Sequence, residues 1–215
     1  MNRINGCIFD LDGVIVDTAK FHYMAWKRLA DYLHIPFNKE DNEKLKGVSR
    51  KASLDIILSK GKLVLSDKDK DSLCTIKNNW YLEYISKLTS KDILPGVDEF
   101  LTLLKKNNIG IGLGSASKNA LLILKNLNIV DYFDSIVDGN MVTKAKPDPE
   151  VFLKASELLK ILPYECAVFE DSLAGIEAAK SAKMKAIGVG SPEILKAADA
   201  VIQDFKAVSL DILRL

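Results

Sequence analysis

Two carboxylates stand two residues apart at Asp10 and Asp12, directly after the apolar run Cys7-Ile8-Phe9. Other apolar runs of the same kind end in further reactive groups. These are Ser115, within Gly114-Ser115-Ala116-Ser117-Lys118-Asn119, and the pair Glu170-Asp171, while Lys146 ahead of Pro147 comes on the loop after the third run. If the runs are parallel strands of one sheet, these side chains meet beyond its carboxyl edge, where open α/β sheets bind ligands. Several carboxylates in one crevice repel one another unless a cation sits among them. An oxygen-only set without His or Cys suits Mg²⁺. A metal has no need of Ser115 or Lys146, but a hydroxyl and an ammonium are right for phosphate oxygens. A helix predicted to begin near Ser117 adds backbone N–H groups at its positive end. The chemistry open to such a set is phosphoryl transfer through an aspartyl phosphate, with Asp12 placed as general acid and base.

Plainer readings exist for each part. Asp-x-Asp-Gly is a common turn and also half of a calcium loop, but the later acidic positions of an EF-hand are missing after Gly13. Glu170-Asp171-Ser172 can start a helix, since Asp and Ser are good caps, and capping does not exclude metal binding. Lys146-Pro147 can be an ordinary loop. The coincidence of all four strand ends outweighs the separate plain readings.

The elements that must position these residues follow from hydrophobic pattern. Short, nearly continuous apolar runs at 7–9, 109–113, 135–137, 167–169, 186–189 and 200–202 read as strands buried on both faces. Helical periodicity lies between them at 97–106, 118–126, 149–160 and 172–182. This alternation predicts an α/β fold, a doubly wound parallel-sheet (Rossmann-like) core. The stretch after the first strand departs from it. Phe21-Met24-Ala25-Leu29 and Leu73-Ile76-Trp80-Tyr84 have helical spacing, and no strand pattern intervenes. Residues 1–15 and 92–215 are therefore expected to form the core, and 16–91 an inserted helical cap domain. Its two linkers, near 14–17 and 90–94, can serve as a hinge.

Bulk properties restrict the rest. The 215 residues, 48% of them hydrophobic, suffice for one core and a small accessory domain. Thirty Lys and Arg against 29 Asp and Glu leave a net charge of +1, which gives no argument for nucleic acid or a membrane surface as partner. No apolar stretch is long enough to span a bilayer. Cys7, Cys74 and Cys166 are far apart and lack metal-ligand spacing, so free thiols in a reducing compartment are expected. A cytoplasmic protein, a monomer acting on a small molecule, is the resulting expectation.

Phe9-Asp10-Leu11-Asp12-Gly13-Val14 with Asp17-Thr18, Ser115, Lys146-Pro147 and Glu170-Asp171-Ser172 resemble, in order and spacing, the four motifs of the haloacid dehalogenase superfamily. That superfamily also places a helical cap where this chain has its helical insert. His22 with Ala25-Trp26, the stretch Lys46-Gly47-Val48-Ser49-Arg50, and Ser115 to Asn119 resemble a sugar-phosphate mutase branch. Its members interconvert β-glucose 1-phosphate and glucose 6-phosphate through β-glucose 1,6-bisphosphate. The resemblance implies Asp10 as the phosphorylated nucleophile and Asp12 as acid/base. It implies Mg²⁺ held by the Asp10 side chain, the Asp12 carbonyl, Glu170 and Asp171. Ser115, Ala116 and Lys146 would hold the transferring phosphoryl group. The distal phosphate and cap contacts would involve Lys46, Gly47, Val48, Arg50, Ser117, Lys118 and Asn119, while Thr18, His22 and Lys77 would tie cap closure to Asp12. An arginine suits a second, bidentate phosphate clamp. The superfamily motifs equally fit a Mg²⁺-dependent phosphatase of small sugar or polyol phosphates, and the loop Asp138-Gly139-Asn140-Met141-Val142-Thr143-Lys144-Ala145 does not discriminate.

Overall fold

The computed structural model describes residues 3–45 and 49–214. The chain divides into two compact units, Met1–Asp17 with Leu88–Leu215, and Thr18–Lys87.

The second unit is helical, with no strand among its described residues. It contains α1 (Ala19–Tyr32), α2 (Lys39–Glu43), α3 (Arg50–Lys60) and α4 (Asp67–Ile85). Side-chain oxygens cap three of these helices. Asn38 and Asp41 form a reciprocal capping box on α2, Ser49 accepts from Ala52 N on α3, and Ser66 accepts from Asp69 N on α4. Trp26, Leu29 and Ala30 of α1, Leu54, Ile57 and Leu58 of α3, and Leu73 of α4 close one apolar core with Ile35, Phe37 and Leu45.

The apolar pattern places Ala25 and Leu29 of α1 and Leu73 of α4 correctly in the interior but not the rest of either buried face. On α4 the buried line is Leu73, Lys77, Tyr81 and Ile85, four residues apart, while Ile76 is exposed. On α1 it is Ala25, Trp26, Leu29 and Ala30, and Met24 is exposed. A lysine in the middle of the α4 stripe hides that stripe from a hydrophobicity reading. Lys77 is tolerated there because its ammonium lies 3.0 Å from His22 Nδ1 and over the rings of Trp26 and Tyr81.

The first unit is built on one parallel six-stranded sheet: β1 (Gly6–Phe9), β2 (Gly110–Gly114), β3 (Ser135–Val137), β4 (Cys166–Glu170), β5 (Lys185–Val189) and β6 (Ala200–Ile202). The strand order is β3-β2-β1-β4-β5-β6, so the winding reverses between β1 and β4. Its helices are α5 (Val97–Lys106), α6 (Ala120–Asn126), α7 (Glu150–Leu159) and α8 (Leu173–Ser181). Side chains of alternate residues leave opposite faces. Ile8 and Val168 join Phe152 and Ala155 of α7 and Ile176 and Ala179 of α8 in one core. On the other face, Phe9 and Phe169 stack at 4.8 Å and Phe100 of α5 meets Phe169 edge-on at 5.4 Å. This is the doubly wound α/β fold.

Register sets where the strands stop. Phe9 pairs level with Leu113 of β2 and with Phe169 of β4. The next residue on each strand, Asp10, Gly114 and Glu170, therefore reaches the same rim. At the opposite, amino edge, Asp134 Oδ2 accepts from Ile111 N at 2.8 Å, and Asp134 N returns a bond to Ile111 O. Asp199 does the same with Ala186. Each aspartate also holds a lysine, Lys105 and Lys180 respectively. All three cysteines are free thiols, with Cys7 and Cys166 buried. No helix among the described residues is long and apolar enough to cross a membrane.

Candidate active site

The carboxyl rim at the β1/β4 switch point gathers Asp10, Asp12, Lys146, Glu170 and Asp171 in the α/β unit. Asp10 N extends the ladder by donating to Phe169 O at 3.0 Å, and Asp10 Oδ2 accepts from Asp12 N at 3.0 Å. The chain then turns through residues 11–16. Gly13 N donates to Val16 O, and both Ile15 N and Val16 N donate to Leu11 O. Gly13 takes φ of 84°, and a Cβ there would fall 2.1 Å from Asp171 Oδ2. The same constraint recurs on α8, where a Cβ on Gly175 would fall 1.9 Å from the Glu170 carboxyl group. Each glycine makes room for a carboxylate.

Lys146 follows β3 on the loop that leads to α7. The Lys146–Pro147 peptide bond is cis. Its ammonium donates to Asp10 Oδ1 at 2.5 Å and to Glu170 Oε1 at 2.7 Å, and lies 4.6 Å from the Phe152 ring centre. Glu170 Oε2 accepts from Ser172 N and Ser172 Oγ, while Ser172 Oγ accepts from Gly175 N as the cap of α8. Glu170 thus keeps an acceptor position beyond these three donors.

Burial and crowding set the charge states. Burial, with Glu170 adding, pushes the Asp10 carboxyl up to about 6 even though Lys146 opposes the shift. Burial first, then Asp10 and Asp171, push Asp12 up to about 8; Asp17 adds to this. Burial works against a charged Lys146, but the attraction of Asp10 and Glu170 prevails and holds its ammonium above the usual lysine range. Asp10, Glu170 and Asp171 offer oxygens within 4.8 Å of one another. Such an all-oxygen set, with no sulfur or nitrogen donor, fits a hard divalent cation.

Ser115 sits after β2, fully buried, with its N–H donating to Val137 O. The helix expected from near Ser117 begins only at Ala120. Ahead of it the backbone makes two short side-chain turns, Ser117 N to Ser115 Oγ at 3.1 Å and Asn119 N to Ser117 Oγ at 3.3 Å. Serine side chains satisfy these amides locally, which is why the helix starts late. Ala116 and Lys118 of this loop are exposed, and Ser117 and Asn119 partly so.

The remaining candidates lie in the helical unit. Thr18 is buried, and its carbonyl accepts from Phe21 N and His22 N at the start of α1. His22 stacks on Tyr81 at 4.1 Å between ring centres. Burial, then the charges of Lys77 and Arg50, hold its imidazole well below the usual histidine range, so it is neutral. A lysine ammonium can only donate, so Nδ1 accepts from Lys77 and Nε2 carries the proton. Arg50 opens α3 and is partly buried. Lys46, Gly47 and Val48 lie outside the described residues. Sequence reasoning misses two residues that shape the site. One is Gly175, whose only signal is its place three residues after the capping Ser172; the other is Glu150, which accepts from the amides of Thr143 and Lys144 on the loop that carries Lys146.

A family model for haloacid dehalogenase-like hydrolases matches residues 4–183, and the chain belongs to that family. Within it, the chain is 47% identical over 208 residues to the β-phosphoglucomutase of Bacillus subtilis, covering 96% of this chain and 92% of that protein. It superposes on the crystal structure of a β-phosphoglucomutase from Clostridium difficile with a TM-score of 0.92 and 45% identity, covering 98% of this chain and 96% of that one. It is also 35% identical over 185 residues to a phosphorylated carbohydrates phosphatase of Thermotoga maritima, covering 84% and 82% of the two chains.

Proposed function

We propose that the protein is a β-phosphoglucomutase, interconverting β-glucose 1-phosphate and glucose 6-phosphate through an aspartyl phosphate on Asp10 and β-glucose 1,6-bisphosphate. The observation that carries this reading is the extent of the likeness to the Bacillus mutase, 47% identity along 96% of the chain.

In the first half-reaction an Asp10 oxygen attacks the phosphorus of the bisphosphate, and the bond to the sugar oxygen breaks. Asp12 protonates that oxygen as it leaves. Burial raises the Asp12 carboxyl, which suits it to carry the required proton. In the second half-reaction the free 6-hydroxyl of an incoming β-glucose 1-phosphate gives its proton to Asp12 and attacks the phosphorus, freeing Asp10 and regenerating the bisphosphate. One acid thus serves both directions and is restored each cycle. Lys146 and Ser115 donate to the equatorial phosphoryl oxygens, with Ala116 beside them. Asp10, the Asp12 carbonyl, Glu170 and Asp171 would hold Mg²⁺, which when bound neutralises the acidic rim and draws charge from the phosphoryl group. Arg50 of the helical unit is assigned to the phosphate not being transferred, and Ser117 and Asn119 are assigned to the same group.

The test is a coupled assay with β-glucose 1-phosphate, Mg²⁺ and a trace of β-glucose 1,6-bisphosphate. Glucose 6-phosphate is the expected product. Inorganic phosphate as the main product would overturn the reading and favour a sugar-phosphate phosphatase, the alternative supported by the 35% identity to the Thermotoga phosphatase. A phosphatase would also turn over without the bisphosphate primer.

A further inference from the structure

The Lys146 ammonium touches both Asp10 and Glu170, yet it stands on a loop whose neighbours Thr143, Lys144 and Ala145 are exposed. A long, flexible side chain on an exposed loop is a poor clamp unless the loop itself is fixed. The fixing groups come from α7. Glu150, its first residue, accepts three bonds on Oε2, from Thr143 N at 2.9 Å, Thr143 Oγ1 at 3.0 Å and Lys144 N at 2.8 Å. Its Oε1 accepts from Lys154 Nζ at 2.7 Å, and the same ammonium donates to Met141 O at 2.6 Å. Glu150 N donates to Asp148 Oδ1, and Asp148 N donates to Ala145 O. Val142 packs on the apolar core between these anchors. The backbone amides just ahead of Lys146 are therefore tied to the first residue of one helix, and Asp148 beyond it bonds through its side chain to the amide of that same residue. These donors also hold the Glu150 carboxyl down, at about 2, with Lys154 contributing most.

We propose that Glu150, braced by Lys154, is a positioning residue for Lys146: it fixes the loop so that the ammonium arrives at the phosphoryl group on Asp10. The inference rests on the phosphate-clamp role proposed for Lys146. A carboxylate at the start of a helix also stabilises that helix, so a fall in stability alone does not distinguish the two roles.

The distinguishing measurement is the rate of aspartyl phosphate formation from acetyl phosphate in the Mg²⁺-loaded enzyme, in a double-mutant cycle. Glu150→Ala is expected to slow it by roughly 10- to 100-fold, with Glu150→Gln closer to wild type because it keeps an acceptor for Thr143 and Lys144. In a Lys146→Ala background, Glu150→Ala should cause no further loss, because the group it positions is gone. An equal fold-loss in both backgrounds, or no loss in the first, would overturn the proposal while leaving the Lys146 clamp intact. A Lys146→Ala enzyme that forms the phosphoenzyme at the wild-type rate would instead overturn the clamp reading and this proposal with it. If thermal melting shows that Glu150→Ala does not fold, Lys154→Met takes its place in the cycle. It releases Met141 and Oε1 yet leaves the carboxylate, and the same epistasis is expected.

Discussion

At the amino edge of the sheet, Asp134 and Asp199 each accept one strand amide and one lysine, and each returns a backbone bond to the strand it serves. At the carboxyl edge, Asp10 and Glu170 share the ammonium of Lys146, Asp12 and Asp171 crowd beside them, and two of these acids are pushed toward the protonated form. Aspartates and lysines serve at both edges. What differs is the ratio of acid to donor. Where every acid has its own amide and its own cation, it finishes a strand and does no chemistry. Where acids outnumber cations, the surplus charge remains for a ligand to resolve, and folding is made to carry it. Both edges are held by the same six strands, so the contrast can be tested within one molecule.

The largest effect is expected from Asp10→Asn. It removes the proposed nucleophile and should abolish acetyl phosphate-dependent phosphoenzyme formation, a loss on the order of 10⁴-fold or more, read by mass spectrometry of the intact protein. Phosphorylation persisting in that variant would place the nucleophile elsewhere. Asp12→Asn comes next. It should slow transfer to glucose 1-phosphate by roughly 10²- to 10⁴-fold, while sparing phosphorylation by acetyl phosphate, whose leaving group needs no proton. Equal losses with both substrates would deny Asp12 its acid role.

At the amino edge the expected damage is to stability. Asp134→Ala or Asp199→Ala strands a strand amide and should lower unfolding free energy by roughly 1–3 kcal/mol, with turnover unchanged per folded molecule. A loss of turnover without a loss of stability would erase the contrast between the edges. The smallest effect is a sign. The carboxyl of Asp12 is raised on folding to about 8, from an ordinary value of 3.8. Between these values the folded chain binds more protons than the unfolded one, so this group's contribution to stability falls as pH rises through that window. In metal-free buffer, Asp12→Asn should therefore gain stability relative to wild type as pH rises across the 3.8-to-8 window. Denaturant midpoints across that range would show it, and a change in the opposite direction would mean the crowding is relieved in solution.

Much of the fold was legible because a buried parallel strand is written as an unbroken apolar run, as in Cys166–Glu170, with its reactive residue at the end. The same reading groups Asp10, Asp12, Lys146, Glu170 and Asp171, which the structure brings to one rim. It fails where a polar residue carries a packing duty. Lys77 interrupts the apolar stripe of α4, and so the pattern of hydrophobicity runs out of phase with the buried face. Hydroxyl groups also compete with helical bonding, and the helix after Ser115 starts three residues late because Ser115 and Ser117 take up the amides ahead of it. Glu150 escapes notice because two of the four bonds its carboxylate accepts come from backbone amides, which leave no signature in side-chain pattern.

The level pairing of Phe9 with Leu113 and Phe169 carries a consequence for how this sequence tolerates change. Successive strand residues point to opposite faces, so losing or gaining one residue within β1 would turn Asp10 away from the site and bring an apolar neighbour to the rim. A loop of the same unit can lengthen at little cost, because closure entropy rises slowly with loop length. In a library of single-residue insertions and deletions, active clones should therefore map the strands as intolerant blocks ending at Asp10 and Glu170. The sheet acts as a vernier, and its last graduation is Asp10.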